Sequence, residues 1–144
     1  MMGGQGPAAI LVVEDEPLLR VLITDILLEH GYAALESATA AEAIEVLNSG
    51  CDVDVLLTDV RMPGAVDGIE LARRVAHSRP EIRILIMSAW IYPRAEAIPA
   101  GARFIAKPYL PTALVSEIEA ILGDQRYAPE PSDGRPLVKG APLV

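Results

Sequence analysis

The chain has 144 residues, 51 % of them apolar but only 4 % aromatic, and a formal net charge of −8. That length suits one domain with a core of Leu, Ile, Val and Ala. The acidic balance argues against a nucleic-acid or anionic-membrane partner, each of which needs a basic face. Cys51 is the single cysteine, so no internal disulfide can form.

The opening "MMGGQGPAA" has neither the basic start nor the apolar stretch of a signal peptide. No apolar run approaches the ~20 residues of a membrane span, so a cytoplasmic location is expected. Residues 1–8 read as a flexible lead-in. "AAILVV" (8–13) is a short apolar run and hence a buried strand. "EPLLRVLITDILLEHG" follows, with Leu18 and Leu22, and Leu19, Ile23 and Ile26, at helical spacing. Pro17 suits its first turn and Gly31 its stop. "YAALESA" is a second strand. Thr39 and Glu42 form a capping box ahead of the helix "AAEAIEVLNSG".

"DVDVLLTD" is the third strand, and "DGIELARRVAHSRP" is a helix ended by Pro80. "IRILIMSA" and "ARFIAK" are the fourth and fifth strands. "LPTALVSEIEAIL" is a final helix, stopped by Gly123. Residues 124–144 carry four prolines and two glycines without apolar periodicity. They read as a disordered tail, with residues 9–123 as the domain and no output domain after it. Five strands alternating with helices imply an α/β fold, a parallel sheet covered on both faces.

In such a sheet ligands bind beyond the carboxyl ends of the strands. The first strand delivers Glu14 and Asp15 there, and the third delivers Asp59. The fourth delivers Ser88 and the fifth Lys107. The second brings nothing comparable. Ten of the twelve basic residues are Arg, and Lys107 is the only lysine of residues 9–123. Three clustered carboxylates repel unless a cation sits among them. Oxygen donors without nearby His or Cys favour Mg²⁺, or Mn²⁺. A carboxylate beside such a metal can act as a nucleophile towards phosphorus.

"LVVEDEP", "LLTDVRMPG" with the following "DG", "MSA" and "FIAKPY" occur in this order, each at a strand end. Together they resemble the receiver domain of two-component response regulators, over roughly residues 8–123. The resemblance implies sheet order 2-1-3-4-5 in a flavodoxin-like three-layer sandwich. It implies Asp59 as phosphoacceptor and Asp15 as metal ligand. Glu14 would hold the metal through water, and the backbone carbonyl of Arg61 would be a further ligand. Ser88 and Lys107 would bind phosphoryl oxygens, with Ser88 and Phe104 as the switch pair. A cis Lys107–Pro108 bond is also implied. The implied partners are a sensor histidine kinase or a histidine phosphotransfer protein, and a downstream protein that the sequence does not name.

Plainer roles are open to the same residues. Asp15 suits a helix N-cap, Asp59 a turn, and Phe104 the core. His30 suits a helix C-terminus, where its charge meets the dipole. Two departures from the family pattern stand out. "MPGAVDG" is one residue longer than the common "MPxxDG" form. The Ser88–Lys107 interval is about one helical turn short and holds Pro93 and Pro99. The helix between the fourth and fifth strands is therefore expected to be shortened, distorted or mobile. The resemblance implies that the positions two residues after Asp59 and Ser88 flank the path of attacking water; here they are Arg61 and Trp90, both bulky, so slow self-dephosphorylation is expected. Two rival readings remain. One is a pseudo-receiver that is never phosphorylated, although all the acidic and lysine positions are kept. The other is an aspartyl-phosphate-forming phosphatase of the haloacid dehalogenase type, disfavoured by Arg61 where that class has a second Asp.

Overall fold

The structure is a computed structural model that describes residues 6–61, 64, 66–89 and 98–123. Its elements are β1 (Ala9–Val13), α1 (Pro17–Glu29), β2 (Ala33–Ser37), α2 (Ala40–Asn48), β3 (Val55–Asp59), α3 (Gly68–Ser78), β4 (Arg83–Ser88), β5 (Arg103–Ala106) and α4 (Pro111–Leu122). The five strands are parallel and lie in the order β2-β1-β3-β4-β5. The expected doubly wound α/β sandwich is therefore the observed one. The expected irregular helix between β4 and β5 falls on residues 90–97, outside the described residues, as does the tail from residue 124.

Side-chain alternation along the strands separates two cores. Leu11, Val13, Leu56, Ile84 and Ile86 pack against Ala43 and Leu47 of α2 and Leu71, Ala72 and Val75 of α3. Ile10, Val12, Val55, Leu57, Leu85, Met87 and Ile105 pack against Ile23 and Leu27 of α1 and Leu114, Ile118 and Ile121 of α4. Each fully buried Leu, Ile, Val or Met side chain among them contributes about 1.5–3 kcal/mol by leaving water. The central strands are therefore apolar on both faces, as a parallel sheet requires.

Local signals set the helix ends. Gly31 adopts φ 87°, and its N–H donates to the Leu28 carbonyl while that of Tyr32 donates to Leu27. That is the paired closure of a left-handed C-terminal cap, which glycine adopts without Cβ strain. His30 is the cap residue, its Nδ1 2.9 Å from the Ile26 carbonyl. Thr39 accepts from the Glu42 N–H at 3.1 Å, and Glu42 reaches back to the Ala38 N–H at 2.9 Å. Gly123 caps α4 at φ −87°, without the left-handed turn seen at Gly31.

Of the helically spaced α1 residues, only one set faces inward. Ile23, Thr24 and Leu27 face the core, whereas Leu18 and Leu22 are 73 % and 58 % exposed. The helix is apolar nearly all round, so spacing alone does not select the buried side. The N-cap of α1 is Glu16, with no side-chain capping bond, so Asp15 is not the cap.

Candidate functional site: an acidic pocket at the carboxyl rim

The sheet's pleat builds the pocket. Ile10 and Val12 lie on the α1/α4 face, and a period of two carries the series to Glu14. Val55 and Leu57 lead in the same way to Asp59, and Ile105 leads to Lys107. Val13 pairs with Thr58, so Glu14 emerges beside Asp59. The Lys107 N–H donates to the Ser88 carbonyl at 2.8 Å, which sets the lysine at the same rim. The three side chains meet there. The Lys107 ammonium donates to Glu14 Oε1 at 2.9 Å and to Asp59 Oδ2 at 2.8 Å. Carboxylate oxygens of Glu14, Asp15 and Asp59 lie within 4.8 Å of one another. Asp15 and Asp59 are thus close enough to share one ion, and Lys107 points at the cluster.

The electrostatics are graded by exposure. Glu14 is almost wholly buried, and Asp15 is exposed. The side chains of Asp59 and Lys107 each keep 15 % of their exposure. Burial pushes the Glu14 carboxyl up, against the hydrogen bonds from Lys107 and from the Glu16 N–H. Burial alone would lower the Lys107 ammonium. Its hydrogen bonds and charge contacts with Asp59 and Glu14 outweigh this, and its pKa is raised.

Every polar group of Glu14 is occupied. Its N–H donates to the Ser37 carbonyl at 3.1 Å, and its carbonyl accepts from Arg20 Nη1 at 2.7 Å. Oε1 accepts from Lys107, and Oε2 from the Glu16 N–H at 3.1 Å. Arg20 also donates through Nε to Glu36 Oε1 at 3.2 Å. Glu36 belongs to β2, so the second strand does contribute to this rim. A charge pair 16 residues apart, joining a helix to an edge strand, leaves no periodic trace in the sequence.

Asp59 is held from its other side. The Arg61 N–H lies 3.4 Å from Oδ1, and Arg61 itself is exposed. The Thr58 hydroxyl donates to the Asp59 carbonyl at 3.0 Å. Gly68 opens α3 against that carbonyl: a Cβ there would overlap the Asp59 oxygen and crowd Thr58 Oγ1 at 3.1 Å. Asp67 caps the same helix, accepting from the Glu70 N–H at 2.9 Å. The sequence carries this feature as its "DG" pair, but the steric reason emerges only in three dimensions.

Ser88 reaches the same rim from the other face of the sheet, which Phe104 shares. Ser88 ends the series Ile84–Ile86 on the α2/α3 face, and it is buried. Phe104 pairs in register with Ile86 and packs, partly buried, against the same core. The two therefore share a face, while Glu14, Asp59 and Lys107 share the opposite one. The Lys107–Pro108 peptide is cis, as the resemblance implied. Trp90 lies outside the described residues.

Tyr109 underlies the pocket, its hydroxyl donating to Met87 Sδ at 3.3 Å. Burial pushes its phenol up to about 12, with the Lys107 charge opposing and those of Glu14 and Asp59 assisting. The neutral phenol is favoured in the fold, so its contribution to stability is complete below the ordinary value of 10.0 and is lost as pH climbs towards 12. In a phenolate-absorbance titration of the native protein, Tyr109→Phe removes a step near the upper end. Tyr109 ionising with an exposed phenol near 10.0 contradicts this.

The parallel sheet and its oxygen-only pocket define a doubly wound α/β domain with an acidic site at the strand ends. Residues 10–119 match the response regulator receiver domain, and the chain belongs to that family. It is 34 % identical over 117 residues to the response regulator receiver protein CpdR of Brucella abortus (strain 2308), covering 78 % of this chain and 95 % of that one. It is 32 % identical over 124 residues to the sensor kinase CckA of the same organism. That match covers 83 % of this chain but only 13 % of the kinase. Among solved structures, a CheY-like response regulator receiver domain protein from Methanospirillum hungatei JF-1 superposes with a TM-score of 0.75 at 26 % identity. That superposition covers 84 % of this chain and 98 % of the other. Receiver domains are signalling modules of two-component systems that bind Mg²⁺ at an acidic pocket, and Glu14, Asp15 and Asp59 form such a cluster here. No helix among the described residues is long and apolar enough to cross a membrane.

Proposed function

We propose that the protein is a single-domain response regulator. Asp59 accepts a phosphoryl group from a sensor histidine kinase or a histidine phosphotransfer protein, and the signal passes on by protein–protein contact. The observation that carries this reading is the Lys107 ammonium bridging Glu14 and Asp59 beside Asp15. The near-complete span of CpdR by this chain supports the single-domain part.

The donor set fits a hard cation. It is all oxygen, it is anionic, and Lys107 neutralises it only in part. Asp15, Asp59 and the Arg61 carbonyl would hold the ion, with Glu14, almost wholly buried beneath them, acting through water. When bound, Mg²⁺ supplies charge neutralisation for the transferring phosphoryl oxygens. The Asp59 carboxylate oxygen forms the new O–P bond as the N–P bond of the donor histidine breaks and the imidazole departs. Lys107 moves its hydrogen bond from the carboxylate to a phosphoryl oxygen, and the Ser88 hydroxyl binds another. Phe104 follows Ser88 on the shared face, a local charge change biasing a two-state element.

The test is incubation with acetyl phosphate and Mg²⁺, followed by intact mass. One phosphoryl adduct that EDTA abolishes supports the reading. An unmodified chain points to a binding module, and steady turnover of a phosphomonoester points to a phosphatase. Arg61 and Trp90 occupy the sequence positions that, by the family resemblance, flank the path of attacking water, so a persistent adduct is expected. After removal of donor the adduct lasts minutes or longer, and decay within seconds contradicts this.

A further inference from the structure

We infer that Arg20, aimed by Glu36, is a positioning residue that sets divalent-cation affinity by fixing the peptide between Glu14 and Asp15. The inference rests on the assignment of the acidic pocket as the cation site. Asp15 is exposed, and its carboxylate makes no hydrogen bond or ion pair among the described residues. No contact with another described residue orients it, so the backbone, by placing its Cα, decides where the carboxylate can reach. The backbone oxygen immediately before it, that of Glu14, is gripped by Arg20 Nη1 at 2.7 Å. A guanidinium presents its donors in a rigid plane, so satisfying two acceptors at once fixes the orientation of both. The second acceptor is Glu36 Oε1 on β2, 3.2 Å from Nε. The Arg20 side chain is 19 % exposed, which shields this contact from competing water. The bridge ties helix α1, edge strand β2 and the end of β1 together one residue before the ligand.

The sign of the effect separates positioning from charge. Arg20 is a cation near a cation site, so by Coulomb interaction alone its removal tightens Mg²⁺ binding. Loss of positioning weakens it. Outer-sphere partners of metal ligands are worth about 10–100-fold in affinity. Since Arg20 acts through one peptide, Arg20→Met, which keeps the apolar stem, is expected to weaken Mg²⁺ binding by about 10-fold.

Calorimetric titration with Mg²⁺ alone is the measurement, with the metal-free melting temperature as the check on folding. Arg20→Lys keeps one charged donor to the Glu14 carbonyl and recovers part of the loss. Glu36→Gln, an exposed change, falls between wild type and Arg20→Met and keeps the test open should Arg20→Met not fold. Equal or tighter binding by folded Arg20→Met, or wild-type binding by Glu36→Gln where Arg20→Met is unfolded, overturns the inference while leaving the pocket assignment intact. Failure of the wild-type protein to bind Mg²⁺ overturns both.

Discussion

Asp59→Asn abolishes phosphoryl uptake from acetyl phosphate while leaving the fold in place. The amide has the shape of the carboxylate but cannot serve as an anionic nucleophile. Lys107 keeps its hydrogen bond to Glu14 at 2.9 Å, so the ammonium is not orphaned by the change. One fewer negative charge among three carboxylates also relieves repulsion. Net stability therefore shifts by no more than about 1 kcal/mol, within the range of a partly exposed ion pair. Intact mass after incubation with donor and Mg²⁺ reads the first effect, and a thermal melt reads the second. Wild-type adduct formation by the Asn variant removes Asp59 from its proposed role. A collapsed melt, by contrast, makes Asp59 a structural residue.

Gly68→Ala is the largest expected loss of stability from a single methyl group. The added Cβ meets the main-chain oxygen of Asp59, which cannot swing aside as a flexible side chain would. The first turn of α3 must lift, weakening the 2.9 Å bond from the Gly68 N–H to the Val60 carbonyl. Overpacking of this kind costs about 3 kcal/mol, which lowers the melting temperature by roughly 10 °C in a domain of this size. Gly31→Ala is the matched control. That residue has φ 87° but open space around its Cβ, so it suffers only the left-handed strain, about 1–2 kcal/mol. The two variants melting together, or Gly68→Ala melting with wild type, contradicts the steric account. The displaced turn also shifts Asp59, so phosphoryl uptake by Gly68→Ala falls even below its melting temperature.

The rim was legible in the sequence because it obeys two simple periods. Apolar runs ending in Glu14, Asp59, Ser88 and Lys107 marked the strands, and alternation with helices made them parallel, which brings their ends to one edge. Which face each one takes emerges from the strands' period of two in the structure, which puts Glu14, Asp59 and Lys107 together. Features that depend on contacts between distant elements were not legible. Gly68 matters because α3 crosses the Asp59 peptide, and Arg20 matters because α1 lies beside β2. The buried side of α1 was obscured by its own composition, since Leu18 and Leu22 are as apolar as the Ile23 and Leu27 that pack inward.

The split of the rim between two faces gives its two halves separate supports. Ile84, Ile86 and Phe104 line one wall of the sheet, and Ile10, Val12, Val55 and Leu57 floor the other beneath the charged triad. A substitution along the first wall therefore leaves the packing beneath the charged triad as it was. Each wall can thus be repacked without disturbing the other.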